Sequence, residues 1–274
     1  MTLAVSIAQG GANNVTMRNR IINGGMMIDQ RNAGASVTPT VDGTYTLDRW
    51  ATRLSAASKY SVQQSTTAPA NYKNSLAITS LAATSLGAGD YYALSQAIEG
   101  FNIADLGWGT ATAAAVTLSF WVRSSLTGTF GGCMQNSANN RSYPFTYTIS
   151  SANTWEQKSI TVLGDTSGSW STNNSTGILL FFGLGVGANY SGTAGAWAGA
   201  NYLTATGATS VVGTNGATFY ITGVQLEAGT TATAFEQRLY GTELALCQRY
   251  FEVLYSDNAG ECIFSAQWST GYRW

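Results

Sequence analysis

Residues 219–238 read F-Y-I-T-G-V-Q-L-E-A-G-T-T-A-T-A-F-E-Q-R, and the way their side chains alternate decides the architecture of the whole chain. In a regular strand successive side chains point to opposite faces. Phe219 and Ile221 would then face one way, and Val224 and Leu226 the other. A bulge at Thr222-Gly223 brings all four to the same side, and glycine suits the kinked position. The segment reads as the closing strand of a two-layer sandwich, with Glu227 as a strand-end residue.

Such a strand needs partners, and the chain before it supplies them. Val116, Leu118, Phe120 and Val122 alternate with Thr117, Ser119, Trp121 and Arg123, and Tyr143, Phe145, Tyr147 and Ile149 repeat the pattern. Tyr92, Leu94, Gln96 and Ile98 share a face, and Trp155 to Val162 adds another strand. Ile178 to Val186 is apolar on both phases apart from its glycines, which predicts a central strand covered on both sides. Its Gly183-Leu184-Gly185-Val186-Gly187 run looks like a phosphate loop but lacks the third glycine at its offset and a following helix. A strand interior under a close contact is expected instead. Short strands separated by Gly- and Asn-rich turns, without alternating helices, predict an all-β fold: a two-sheet antiparallel jelly-roll β-sandwich with an N-terminal arm and a C-terminal α-helix plus short strand.

The boundaries that follow are 1–40 for a docking arm and first strand, 41–238 for the sandwich, and 239–274 for a C-terminal helix and strand making oligomer contacts. In the arm, Leu3, Val5 and Ile7 alternate with smaller residues and offer one apolar face to a neighbour. Cys247, Tyr250, Phe251 and Leu254 fall at i, i+3, i+4 and i+7, which predicts an amphipathic helix over 242–255, N-capped by Thr242, with these four as the oligomer contact. Residues 262–274 alternate like a further strand without a partner in the chain, which invites pairing with another chain.

Composition narrows the function. Of the 274 residues 45% are hydrophobic and only 10% charged, against about 25% charged in an average domain. The formal net charge of -1 gives no footprint for a polyphosphate, so nucleic acid is excluded as a partner. A sparsely charged surface favours assembly with copies of itself or with other subunits. Histidine is absent, which removes the commonest general base and zinc ligand. The three cysteines, Cys133, Cys247 and Cys262, show neither metal spacing nor a disulfide framework. Ile178 to Val186 is too short to cross a bilayer, so no membrane insertion is expected, and the first ten residues lack the basic region of a secretory signal.

Glu99, Asp105, Glu156, Asp165, Glu227 and Glu236 are scattered singly, whereas glycosidases place two carboxylates across a cleft. No catalytic residue is assigned. The binding candidates are Trp170, Tyr190, Trp197 and Tyr202, which lie in Gly-rich, loop-like segments where a ring can stack on a sugar face. The competing reading packs these rings between subunits, where Trp and Tyr are enriched.

Five stretches together resemble a known family: N-R-I-I-N-G-G-M-M-I-D-Q-R-N at 19–32, L-D-R-W at 47–50, S-F-W-V-R-S at 119–124, N-T-W-E-Q-K-S-I-T-V at 153–162, and G-V-Q-L-E-A-G-T-T-A-T-A-F-E-Q-R at 223–238. They resemble bacteriophage tail-fibre and minor virion proteins built on a carbohydrate-binding-module-like jelly roll, over roughly residues 17–252. The resemblance implies a non-enzymatic virion structural protein, assembled in the bacterial cytoplasm. It would be a tail- or head-fibre subunit, often a homotrimer, attached through its N-terminal arm to other virion proteins and able to contact host-surface glycan. A capsid decoration or cement protein and a free-standing glycan-binding module are the alternatives. No cofactor is implied, but modules of this kind often hold a structural Ca²⁺, for which Asp29, Asp48 or Glu227 would supply oxygen ligands. The chain departs from the family at Ala234, where relatives often place Pro, and after the helix, where relatives continue as a β-rich region.

Overall fold

The computed structural model describes residues 17–254 and 264–265. Two antiparallel five-stranded sheets carry the core. The strands are β1 (Ala51–Leu54), β2 (Tyr60–Ser65), β3 (Ser75–Ser80), β4 (Tyr91–Glu99), β5 (Val116–Ser124), β6 (Gly128–Asn136), β7 (Ser142–Ile149), β8 (Glu156–Val162) and β9 (Thr176–Val186). Two short pieces follow, β10 (Ser191–Gly192) and β11 (Thr204–Ala205), then β12 (Thr218–Ala228), helix α1 (Tyr240–Gln248), β13 (Val253–Leu254) and β14 (Phe264–Ser265). The front sheet runs β1-β4-β9-β6-β7 and the back sheet β2-β3-β12-β5-β8. The chain is a jelly-roll β-sandwich.

The bulge read from the closing strand is present. The pairing of β12 with β5 shifts register between Thr222 and Gln225, and Gly223 takes a left-handed φ of 61°. Phe219, Ile221, Val224 and Leu226 are all fully buried as a result. Gly223 also lies under Tyr72, whose ring atoms would come within 2.8 Å of an added Cβ. The second expected feature holds as well. β9 is the central strand of the front sheet, between β4 and β6, with Leu180 and Phe182 in the main core and Phe181 in a smaller cluster on the outer face.

Before the sandwich the structure differs from expectation. No strand forms between residues 17 and 50, where pairing is limited to isolated bridges at Val37 and Tyr45 and single backbone bonds to β12 at Arg20 and Gly24. The physical reason is that this backbone bonds to side chains. The Glu236 carboxylate accepts from the amides of Met17, Arg18 and Asn19, Gln96 accepts from Ile22, and Glu243 accepts from Asn23. Asn23 and Met26 are left-handed, which breaks an extended run. Leu3, Val5 and Ile7 lie outside the described residues.

Helix α1 also corrects the prediction. It starts after Leu239, not at Thr242, and ends at Gln248. Tyr250 and Phe251 lie beyond it because each is held against the sandwich. The Arg49 guanidinium stacks 3.4 Å from the Tyr250 ring centroid, and that of Arg31 stacks 3.4 Å from the ring of Phe251. Glu99, at the end of β4, accepts from Tyr250 Oη (2.6 Å) and pairs with Arg249 (2.6 Å). Cys247 is buried against Ile22 and Ile28 of its own chain. Cys247, Tyr250, Phe251 and Leu254 therefore do not form one helix face. Phe264–Ser265 finds its partner within the chain, pairing with Val253–Leu254.

Candidate functional site

The strands of the front sheet alternate, so one set of side chains fills the sandwich and the other points outward. On that outer side Ala93 of β4, Phe181 of β9 and Cys133 of β6 form a small buried cluster with Leu203. The segment 188–206 covers it. Its β10 and β11 pair in parallel, and the Leu203 amide donates to the Tyr190 carbonyl at 2.8 Å. Close approach is possible because two glycines form the floor: a Cβ at Gly131 or Gly183 would fall inside 3 Å of the Thr204 side chain. This is the close contact that the glycines in β9 forecast.

Where the covering segment stops short, a groove of about 230 Å³ remains. Leu179 and Phe181 of β9 form its apolar floor. Tyr190 and Tyr91 form a wall, their rings 5.4 Å apart in an edge-to-face pair at 77°. Gln135 from β6 and Asn201 from the covering segment supply amides, joined by a 2.7 Å hydrogen bond from Gln135 Nε2 to Asn201 Oδ1. Arg53 of β1 closes one end, its guanidinium held by Asp42. Burial pushes the Tyr91 hydroxyl above the usual phenol range. Burial likewise raises the Cys133 thiol far above its ordinary value, which makes it a packing group and not a nucleophile. Pockets for drug-sized ligands run to roughly 300–1,000 Å³, and this groove is smaller.

The four aromatic candidates separate into two places. Tyr190 lines the groove, and Tyr202 packs beside it, its ring against Gly192. Trp170 and Trp197 do not join them. They form a three-way edge-to-face cluster with Trp108, at centroid distances of 4.7 Å for Trp108–Trp170 and 5.3 Å for the other two pairs. All three indole N–H groups are bonded within the chain: Trp108 to the Ala114 carbonyl, Trp170 to Asp165 Oδ2 and Trp197 to the Leu163 carbonyl. Trp170 is buried and offers no open face to a sugar. Its loop-like, Gly-rich surroundings mislead because Asp165, pinned by Arg141 at 2.5 Å, folds that loop onto the ring.

Asp29, Asp48 and Glu227 do not converge. Asp29 accepts the amides of Asn32 and Gly34 and closes a turn. Asp48 accepts from Gln30, and burial raises its pKa despite those bonds. Glu227 holds Thr233 through its amide and hydroxyl, at 2.8 and 2.7 Å. Among the described residues no three potential ligands gather around a common point. The remaining acids also have structural partners: Asp105 binds Arg20, and Glu156 binds Lys158 and the amides of Ser150 and Ser151.

Sequence reasoning misses Arg53, Tyr91, Gln135 and Asn201. Alternation places Tyr91 opposite to the inward Tyr92, but nothing local shows that β6 and the segment at 201 meet there.

No protein-family model matches the chain, and no curated protein matches it. Solved structures do resemble it. One is the enzymatically active domain of bacteriophage CBA120 tailspike protein 4, at 11% identity and TM-score 0.41, over 77% of this chain and 22% of that one. A family 61 carbohydrate-binding module in complex with β-1,4-galactotriose matches at 11% identity and TM-score 0.38, over 77% of this chain and 99% of the module. A family 11 carbohydrate-binding module from Clostridium thermocellum, in complex with a mixed-linked tetrasaccharide, matches at 10% identity and TM-score 0.35, over 74% and 98%.

Proposed function

We propose that this chain is a non-catalytic glycan-binding jelly roll whose site is the groove on the outer face of the front sheet. The observation that carries the reading is the convergence there of an aromatic wall, an apolar floor and a pair of amides, with one ion pair at the end. Sugars present apolar C–H faces and a rim of hydroxyls, and this lining offers a partner for each. The carboxylates named above are engaged with arginines, lysine, hydroxyls and backbone amides, which supports binding without hydrolysis.

The virion setting is proposed on the motif resemblance. In it the chain is an oligomeric tail- or head-fibre subunit, assembled in the bacterial cytoplasm, attached through residues before the sandwich and meeting host-surface glycan through the groove. The test is a glycan array followed by titration calorimetry on wild-type protein and Tyr190→Ala. Binding that falls at least tenfold in the variant is the expected result. Failure of every sugar to bind at millimolar concentration removes the reading.

A further inference from the structure

The same groove carries information about which sugars it takes, and this rests on the glycan reading above. Gln135 is 1% exposed yet lines the groove. Its Nε2 donates to Asn201 Oδ1 at 2.7 Å and to the Tyr202 carbonyl at 3.4 Å. A carbonyl can only accept, so the amide of Gln135 must point its NH₂ that way, and Asn201 must then present its oxygen to Gln135. Both orientations are fixed by the network. What remains is Gln135 Oε1, an acceptor, and Asn201 Nδ2, a donor. Neither makes a hydrogen bond among the described residues.

The charge at the groove is equally defined. Arg53 is the one charged residue among the described residues lining it. Its Nε lies 3.1 Å from Asp42 Oδ1 and its Nη2 3.1 Å from Asp42 Oδ2, a two-point pairing that matches the guanidinium fork to the carboxylate. The Asp42 carboxylate is also held by the Leu54 amide at 2.8 Å. An acidic sugar would meet an arginine already neutralised and an aspartate of its own sign.

We infer that the groove selects a neutral pyranose carrying two hydroxyls, one donating to Gln135 Oε1 and the other accepting from Asn201 Nδ2, and discriminates against uronates through Asp42. A free acceptor and a free donor suit two sugar hydroxyls, because each hydroxyl can take either role. A sugar lacking one of the two hydroxyls leaves a partly buried amide atom unpaired, which weakens binding by about tenfold.

The experiment uses the full chain at neutral pH, with tetrasaccharides of glucose, mannose and galactose, tetragalacturonate, and single-deoxy methyl glycosides of the best-binding sugar. Calorimetry and saturation-transfer NMR give the affinities. A neutral tetrasaccharide should bind about tenfold more tightly than tetragalacturonate, and Asp42→Asn should narrow that gap by freeing the charge of Arg53. One deoxy position should cost about tenfold in wild-type protein and little in Asn201→Ala. Asp42 and Asn201 both lie at the surface, and thermal unfolding confirms that the variants fold. Tyr190-dependent binding in which tetragalacturonate equals the neutral sugars, or in which every deoxy penalty persists in Asn201→Ala, overturns the selectivity while leaving the glycan site standing. Absence of binding by any sugar overturns both.

Discussion

At Gly223 a single residue reconciles two halves of a strand that would otherwise face apart. The left-handed φ of 61° and the Tyr72 ring packed over the α-carbon leave no room for a side chain. Gly223→Ala should therefore destabilise the protein by roughly 1–3 kcal/mol from backbone strain and crowding, measured by urea unfolding. Gly229, which also has a positive φ but has nothing within 4 Å of an added Cβ, should lose less on the same change. Trp170 makes the opposite point about side chains. Its sequence context suggests a sugar platform, and it is instead a packed member of a tryptophan cluster. Trp170→Ala should cost about 3–5 kcal/mol by the usual scale for buried large-to-small changes. The affinity of the groove for sugar should be unchanged in that variant where it remains folded.

At the level of elements, the exit from α1 is fixed by Glu99, Arg249 and Tyr250. Burial acts to raise the Glu99 pKa, but the hydrogen bonds from Arg249 and Tyr250 outweigh it and hold the carboxylate below the ordinary glutamate range. A lowered folded-state pKa stabilises the fold above the unfolded value, and the contribution is lost as pH falls through the depressed value. Thermal unfolding of wild-type protein should thus lose an increment between neutral and strongly acidic pH that Glu99→Gln lacks. Arg249 is exposed, so solvent screening keeps that increment small. Alternation every two residues makes β5 and β7 legible from sequence alone, and a short run apolar on both phases does the same for β9. The helix is harder to read because Cys247, Tyr250 and Phe251 also fit a period of 3.6. What stops the helix is cation stacking from Arg31 and Arg49, roughly 200 residues earlier in sequence, and no local pattern encodes that.

For the whole molecule the same division holds. The two layers and the closing bulge are readable from 219–228, since burial of four apolar side chains on one face admits one solution. The groove is not, because its wall, floor and amides come from β1, β4, β6, β9 and the segment after β9, and only sheet order brings them together. Of the four aromatic candidates, Tyr190 alone lines it. Assembly is a property of this scale too. If the chain works as a trimeric fibre subunit, its mass by light scattering at micromolar concentration should be three times the chain's 28.8 kDa, and a strictly monomeric protein would speak against that setting.

The Glu236 carboxylate binds the backbone of residues 17–19 at the point where the last sandwich strand has been completed. The polypeptide thus enters and leaves the sandwich side by side. Chain ends that lie together tolerate insertion into a surface loop of an unrelated protein, and here the inserted piece must keep α1, because Cys247 packs on Ile22 and Ile28 and Glu243 holds the Asn23 amide. Grafted in that way, it would carry its groove to a new scaffold.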